Sequence, residues 1–119
     1  MKKVLVLQKY PMCLELTNIL LTETGFIAHN AKDAYEAIKM AESDFFDLII
    51  MDTENLGMDS IELAKTIKSK PSCKDVDIVA LTNNESPQQK QTFLASYFDE
   101  YLSFSMGLTE LREKIKGYK

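Results

Sequence analysis

Phe46-Asp47-Leu48-Ile49-Ile50-Met51-Asp52 is an apolar run that ends in a carboxylate, and a loop carrying Gly57-Met58-Asp59 follows it. Its core, Leu48 to Met51, is apolar without alternation, as in a strand covered on both faces. Two other runs read the same way. Val4-Leu5-Val6-Leu7 ends in Gln8-Lys9, and Asp77-Ile78-Val79-Ala80-Leu81-Thr82 ends in a hydroxyl. In a parallel sheet these three strand ends converge on one crevice, the place where open α/β sheets bind ligands.

Helical periodicity separates the strands. Pro11 fits a first helical position, where its missing N–H does no harm, and Met12, Leu16, Ile19 and Leu20 follow at helical spacing. Gly25 stops that helix, and Phe26-Ile27-Ala28 reads as a second strand. Asp33 with Glu36 three residues on is a capping-box-like start for a helix whose stripe is Ala37, Ile38 and Ala41. Asp59 or Ser60 caps a third helix carrying Ile61, Ala64 and Ile67, with Pro71 beyond its end. Ser86-Pro87-Gln88-Gln89 predicts a further start: Ser86 accepts from the third helical N–H, Pro87 takes the first position and Gln89 reaches back. A short fifth strand, Glu100–Ser103, and a helix through Leu108, Leu111 and Ile115 complete five strand–helix units. The alternation implies an α/β doubly wound sheet of five parallel strands with five helices on both faces.

The 119 residues predict a single domain, 1–119, and 45% apolar residues suffice for its core. A net charge of −4 with interspersed signs suggests neither a nucleic-acid groove nor a membrane surface. Met1-Lys2-Lys3 leads straight into a strand, so no signal peptide is expected and the reading is cytoplasmic. Cys13 and Cys73 lack metal spacing and read as reduced thiols. The one histidine, His29, reads as solvent-facing, without a ligand or catalytic role. Asp47, Asp59, Asp75 and Asp77 read as strand-edge, capping and loop residues, so no metal cluster is assigned. No phosphate-binding glycine signature and no nucleophile–histidine set is present, which sets a small α/β enzyme or nucleotide binder behind a binding module.

Lys2-Lys3-Val4-Leu5-Val6, Asp47 to Asp52, Gly57-Met58-Asp59, Ile78 to Thr82 and Asp99-Glu100-Tyr101-Leu102, in this order and spacing, resemble the receiver domain of two-component response regulators from end to end. The resemblance implies a flavodoxin-like, CheY-like fold with strand order 2-1-3-4-5. It also implies phosphotransfer from a histidine kinase to the position of Asp52, with a switch hydroxyl at Thr82 and a switch aromatic at Tyr101. In the family an acid pair at the end of the first strand holds Mg²⁺, and a lysine at the end of the fifth contacts the phosphoryl group.

The chain departs from that pattern where the chemistry resides. Gln8 and Lys9 stand at the acid pair, Phe104 at the lysine, and Ser105 at the proline that usually follows it. Asn55-Leu56 replaces a Met-Pro pair, Asn83 replaces the small residue after the switch hydroxyl, and Ser96-Tyr97-Phe98 replaces an Ala-Gly-Ala-like segment. Mg²⁺ takes hard oxygens in octahedral array, and phosphoryl transfer relies on cations that neutralise developing charge. Asp52 is the main remaining ligand, with Glu54 a recruit, and the Lys9 ammonium opposes metal entry and is expected to reach Asp52 itself. Phe104 either closes the crevice or forms a docking patch with Met106, and Ser105 disfavours a cis peptide.

The expectation is therefore a divergent receiver-like domain that is not an enzyme, uses no cofactor and acts through protein contacts in a phosphorelay pathway. Its partners would be a histidine kinase, an output domain or another signalling protein. A homodimer through the side built from Gln88–Tyr97, Tyr101 and Leu108–Lys116 is a further option. The alternative is a working receiver, phosphorylated on Asp52 with Mg²⁺.

Overall fold

A computed structural model of the chain describes residues 1–53, 57–83 and 86–119. Five strands form one parallel sheet: β1 (Lys3–Leu7), β2 (Ile27–Asn30), β3 (Leu48–Met51), β4 (Asp77–Thr82) and β5 (Glu100–Ser103), in the order β2-β1-β3-β4-β5. Five α-helices connect them: α1 (Pro11–Glu23), α2 (Ala34–Ser43), α3 (Ser60–Lys68), α4 (Pro87–Leu94) and α5 (Leu108–Lys116). The doubly wound fold and strand order are those expected.

Strand alternation divides the core in two. Val4, Val6, Leu48, Ile50, Val79 and Leu81 pack against Leu20, Leu21, Leu111 and Ile115, so α1 and α5 cover one face. Leu5, Leu7, Ile49, Met51, Ile78 and Ala80 pack against Ala37, Ala41, Leu63, Ala64, Ile67 and Phe93, so α2, α3 and α4 cover the other. Burial on both faces explains why the central strands are continuously apolar.

The caps hold where the sequence placed them. Asp33 accepts from the Glu36 N–H at 2.8 Å, and the Glu36 carboxylate reaches back to the Lys32 N–H at 3.0 Å. Asp59, not Ser60, caps α3, accepting from the Glu62 N–H at 3.2 Å. Ser86 accepts from the Gln89 N–H at 3.2 Å with Pro87 at the first position. The Gln89 side chain does not reach back: its oxygen accepts from the Tyr101 hydroxyl at 3.3 Å.

The buried stripe of α1 is offset from the one expected. Met12 and Ile19 are exposed, and Cys13, Thr17, Leu20 and Leu21 face the sheet. A hydroxyl can occupy that stripe because Thr17 donates to the Cys13 carbonyl at 2.7 Å, which removes the desolvation penalty. Strand β2 also starts one residue late, at Ile27, and extends through His29 to Asn30. His29 is half-buried, edge-on to the Phe46 ring at 5.7 Å, and is therefore not the solvent-facing residue expected.

Candidate functional site

The ends of β1, β3, β4 and β5 meet as the crossing connections require. Leu7 pairs with Met51, so Gln8 and Asp52 leave adjacent strands side by side, and the Asp52 N–H donates to the Leu7 carbonyl at 2.9 Å. Thr82 pairs with Ser103 in the same way on the other side. Asp52 is 1% exposed and Thr82 fully buried, so the crevice floor is a carboxylate and a hydroxyl removed from bulk water.

Gln8 turns inward. It is 6% exposed, and its amide nitrogen donates to the Leu81 carbonyl at 3.1 Å. The other amide atom, Oε1, is buried without a hydrogen-bond partner among the described residues. Lys9 turns outward. It is exposed, with its ammonium 5.5 Å from the centre of the Tyr10 ring.

Two buried hydroxyls beside Asp52 had no assigned role at the site in the sequence reading. Thr53 is only 9% exposed, and its hydroxyl stands 3.4 Å from Asp52 Oδ1 and 3.3 Å from Thr82 Oγ1, donating toward both. Ser60, the first residue of α3, is 1% exposed and donates to the carbonyls of Thr53 and Asp52. The only signal for them was position: a hydroxyl directly after the strand-end acid, and another beside the Asp59 cap.

Tyr101 is buried against Phe93, with ring centres 5.9 Å apart, and Phe93 meets Phe98 edge-on at 4.9 Å. The bulky Tyr97-Phe98 substitution is thus partly core: Phe98 is buried and Tyr97 exposed. Burial, and secondarily the Asp52 charge, push the Tyr101 phenol above its usual range. The same two causes, in the same order, raise the Cys13 thiol. Asp52 thus acts electrostatically on β5 and on the first turn of α1.

Phe104 neither closes the crevice nor lies fully on the surface. It is half-buried with Met106 against the α1 and α5 side of the core. Ser105 and Asn83 are exposed, and the Ser105 N–H donates to Ser103 Oγ at 3.2 Å. The described residues contain no cis peptide bond. Glu54, Asn55 and Leu56 lie outside the described residues, as do Asn84 and Glu85. Among the described residues there is no cluster of three or more metal-binding side chains, and no helix long and apolar enough to cross a membrane. Both cysteines are free thiols, and Asp47 accepts from the Lys3 N–H at 2.7 Å as a strand-edge residue.

A buried strand-end carboxylate, a buried hydroxyl on the next strand and a buried aromatic on the one after define the site. The sequence pattern of the response regulator receiver domain family matches residues 4–116. The chain belongs to this family. It is a CheY-like receiver domain of two-component signalling.

Among solved structures, this receiver domain is similar to the chemotaxis response regulator CheY4 of Vibrio cholerae, with 25% identity, a TM-score of 0.88 and coverage of 100% of this chain and 99% of that one. The response regulator TrrA of Thermotoga maritima, solved in complex with Mg²⁺-BeF, is 33% identical with a TM-score of 0.84, and both chains are fully covered. Among curated proteins, the sensor protein GacS of Pseudomonas syringae pv. syringae is 27% identical over 95% of this chain, which spans only 13% of GacS.

Proposed function

We propose that this receiver domain is a divergent one: it works by protein–protein contact in a two-component pathway, without normal Mg²⁺-dependent phosphorylation of Asp52. The observation that carries the reading is the fate of the two positions after β1. Gln8 is committed to the Leu81 carbonyl, and Lys9 places a cation at the exposed rim. Neither supplies the carboxylate that a hard dication takes in such sites. Phe104 removes the ammonium that would meet a phosphoryl group and spends its ring on the α1 and α5 core. Among the described residues, a crevice whose acid is Asp52, with no compensating cation at β5, lacks the charge neutralisation that phosphoryl transfer uses.

In this reading the domain is not an enzyme, holds no cofactor and resides in the cytoplasm. The family's signalling role, and the histidine kinases among its relatives, make a histidine kinase, an output domain or another signalling protein the partner class. Neither nucleic acid nor membrane is a partner, given a net charge of −4. The α4 to α5 side offers half-exposed Leu94, Tyr97 and Leu108 for such a contact, or for a second copy of the chain. The whole of residues 1–119 acts as one domain.

The second reading, a working receiver phosphorylated on Asp52, is favoured by one observation. Gln8 Oε1 is buried beside Asp52 with no hydrogen-bond partner among the described residues, so a hard oxygen remains available there. In that case Gln8 and Asp52 would hold Mg²⁺, and the ion would supply charge neutralisation. Acetyl phosphate with Mg²⁺, read by intact mass, separates the two. The divergent reading expects no phosphoryl adduct, and an adduct abolished by Asp52→Asn establishes the second.

A further inference from the structure

The polar chain at the ends of β3 and β4 has an order that the family assignment does not supply. Ser60 Oγ, at the start of α3, donates to the Thr53 and Asp52 carbonyls and so fixes the backbone just after β3. That backbone presents the Thr53 hydroxyl between Asp52 Oδ1 and Thr82 Oγ1. All four residues are at least nine-tenths buried, where an unsatisfied hydroxyl costs more than at the surface. A valine-sized side chain would fill the same space, so volume alone does not call for a hydroxyl at residue 53.

We propose that Thr53 is a positioning residue: anchored by Ser60, its hydroxyl couples the Asp52 carboxylate to the Thr82 hydroxyl in the unmodified protein. Thr82 is then held toward the acid by an internal donor, and α3, β3 and β4 share one polar chain. Both Thr53 contacts are long for hydroxyl hydrogen bonds, as expected for one proton shared between two acceptors. Coupling of this kind does not depend on whether Asp52 is ever phosphorylated, so it stands or falls separately from the function proposed above.

A double-mutant cycle on the full chain tests it, with Thr53→Val, Thr82→Val and the double variant unfolded in urea. Coupling predicts non-additivity of at least about twofold in the unfolding constant. NMR of the unmodified protein supplies a readout that packing alone would not move. Thr53→Val should shift the Asp52 carboxyl carbon and Thr82 methyl resonances, and Thr53→Ser, which keeps the hydroxyl, should return both toward wild type. Additive energies with unmoved Asp52 and Thr82 resonances would overturn the proposal, as would Thr53→Ser shifts equal to those of Thr53→Val. If Thr53→Val does not fold, the Thr53→Ser and Thr82→Val spectra decide: an unchanged Asp52 carboxyl carbon in Thr82→Val, with Thr53→Ser shifted strongly at that carbon, refutes it.

Discussion

Replacing Lys9 with aspartate asks directly whether its charge keeps a dication out. Lys9 is exposed and follows Gln8, which lies beside Asp52, so the substitution changes the rim of the crevice by two charge units without touching the core. Exposure makes a water-like dielectric appropriate. At a separation of about 6 Å, exchanging one positive for one negative unit changes the interaction with a dication by roughly 3 kcal/mol. Screening at about 0.1 M salt removes about half of that. What remains corresponds to an approximately tenfold gain in Mg²⁺ affinity. Isothermal titration calorimetry, with amide shifts followed in parallel, measures it, and Gln8→Asp/Lys9→Asp should gain more. The reasoning is refuted if Lys9→Asp folds normally and binds Mg²⁺ no better than wild type, since the rim charge would then be irrelevant to metal entry.

Gln8→Ala should destabilise the fold by about 1–3 kcal/mol in urea, because the buried Leu81 carbonyl loses its donor; a neutral result would mean that water replaces the amide. Gly57→Ala should cost roughly 1–2 kcal/mol, since Gly57 sits at φ +92° and a Cβ there would come 2.7 Å from the Tyr35 ring. Tyr35→Ala should recover the steric part of that loss. The pH dependence of stability should carry an Asp44 limb. Its hydrogen bond from the Lys3 ammonium, then that from the Phe45 N–H, hold the carboxyl below its usual range. A carboxylate depressed in the folded state stabilises it above the unfolded pKa and loses that contribution as pH falls through the folded one. Lys3→Met should therefore flatten the acid limb of urea midpoints measured against pH.

Much of this fold was legible because its physics is local. Leu48–Met51, Asp77–Thr82 and Glu100–Ser103 are continuous strands whose bounds the structure reproduces. Asp33, Asp59 and Ser86 cap helices through the side-chain contacts their residue types favour. The α1 stripe failed because Thr17 counts as polar in a sequence yet is buried once it bonds to Cys13. At the site, the identities of Asp52, Thr82 and Tyr101 were readable, but their partners were not. The bond from Gln8 to the Leu81 carbonyl spans 73 residues of sequence, and the contact of Thr53 with Thr82 spans 29. The half-buried seat of Phe104 follows from the turn after β5, which no residue pattern announced.

The central claim, that the crevice no longer supports Mg²⁺-dependent phosphoryl chemistry, is tested most directly by amide NMR of the unmodified chain titrated with Mg²⁺ and then beryllium fluoride. The account predicts no saturable shifts at Asp52, Thr53 and Thr82 and no change in the Tyr101 ring signals at millimolar Mg²⁺. Saturable shifts at those residues, accompanied by a new Tyr101 environment and abolished by Asp52→Asn, would contradict it.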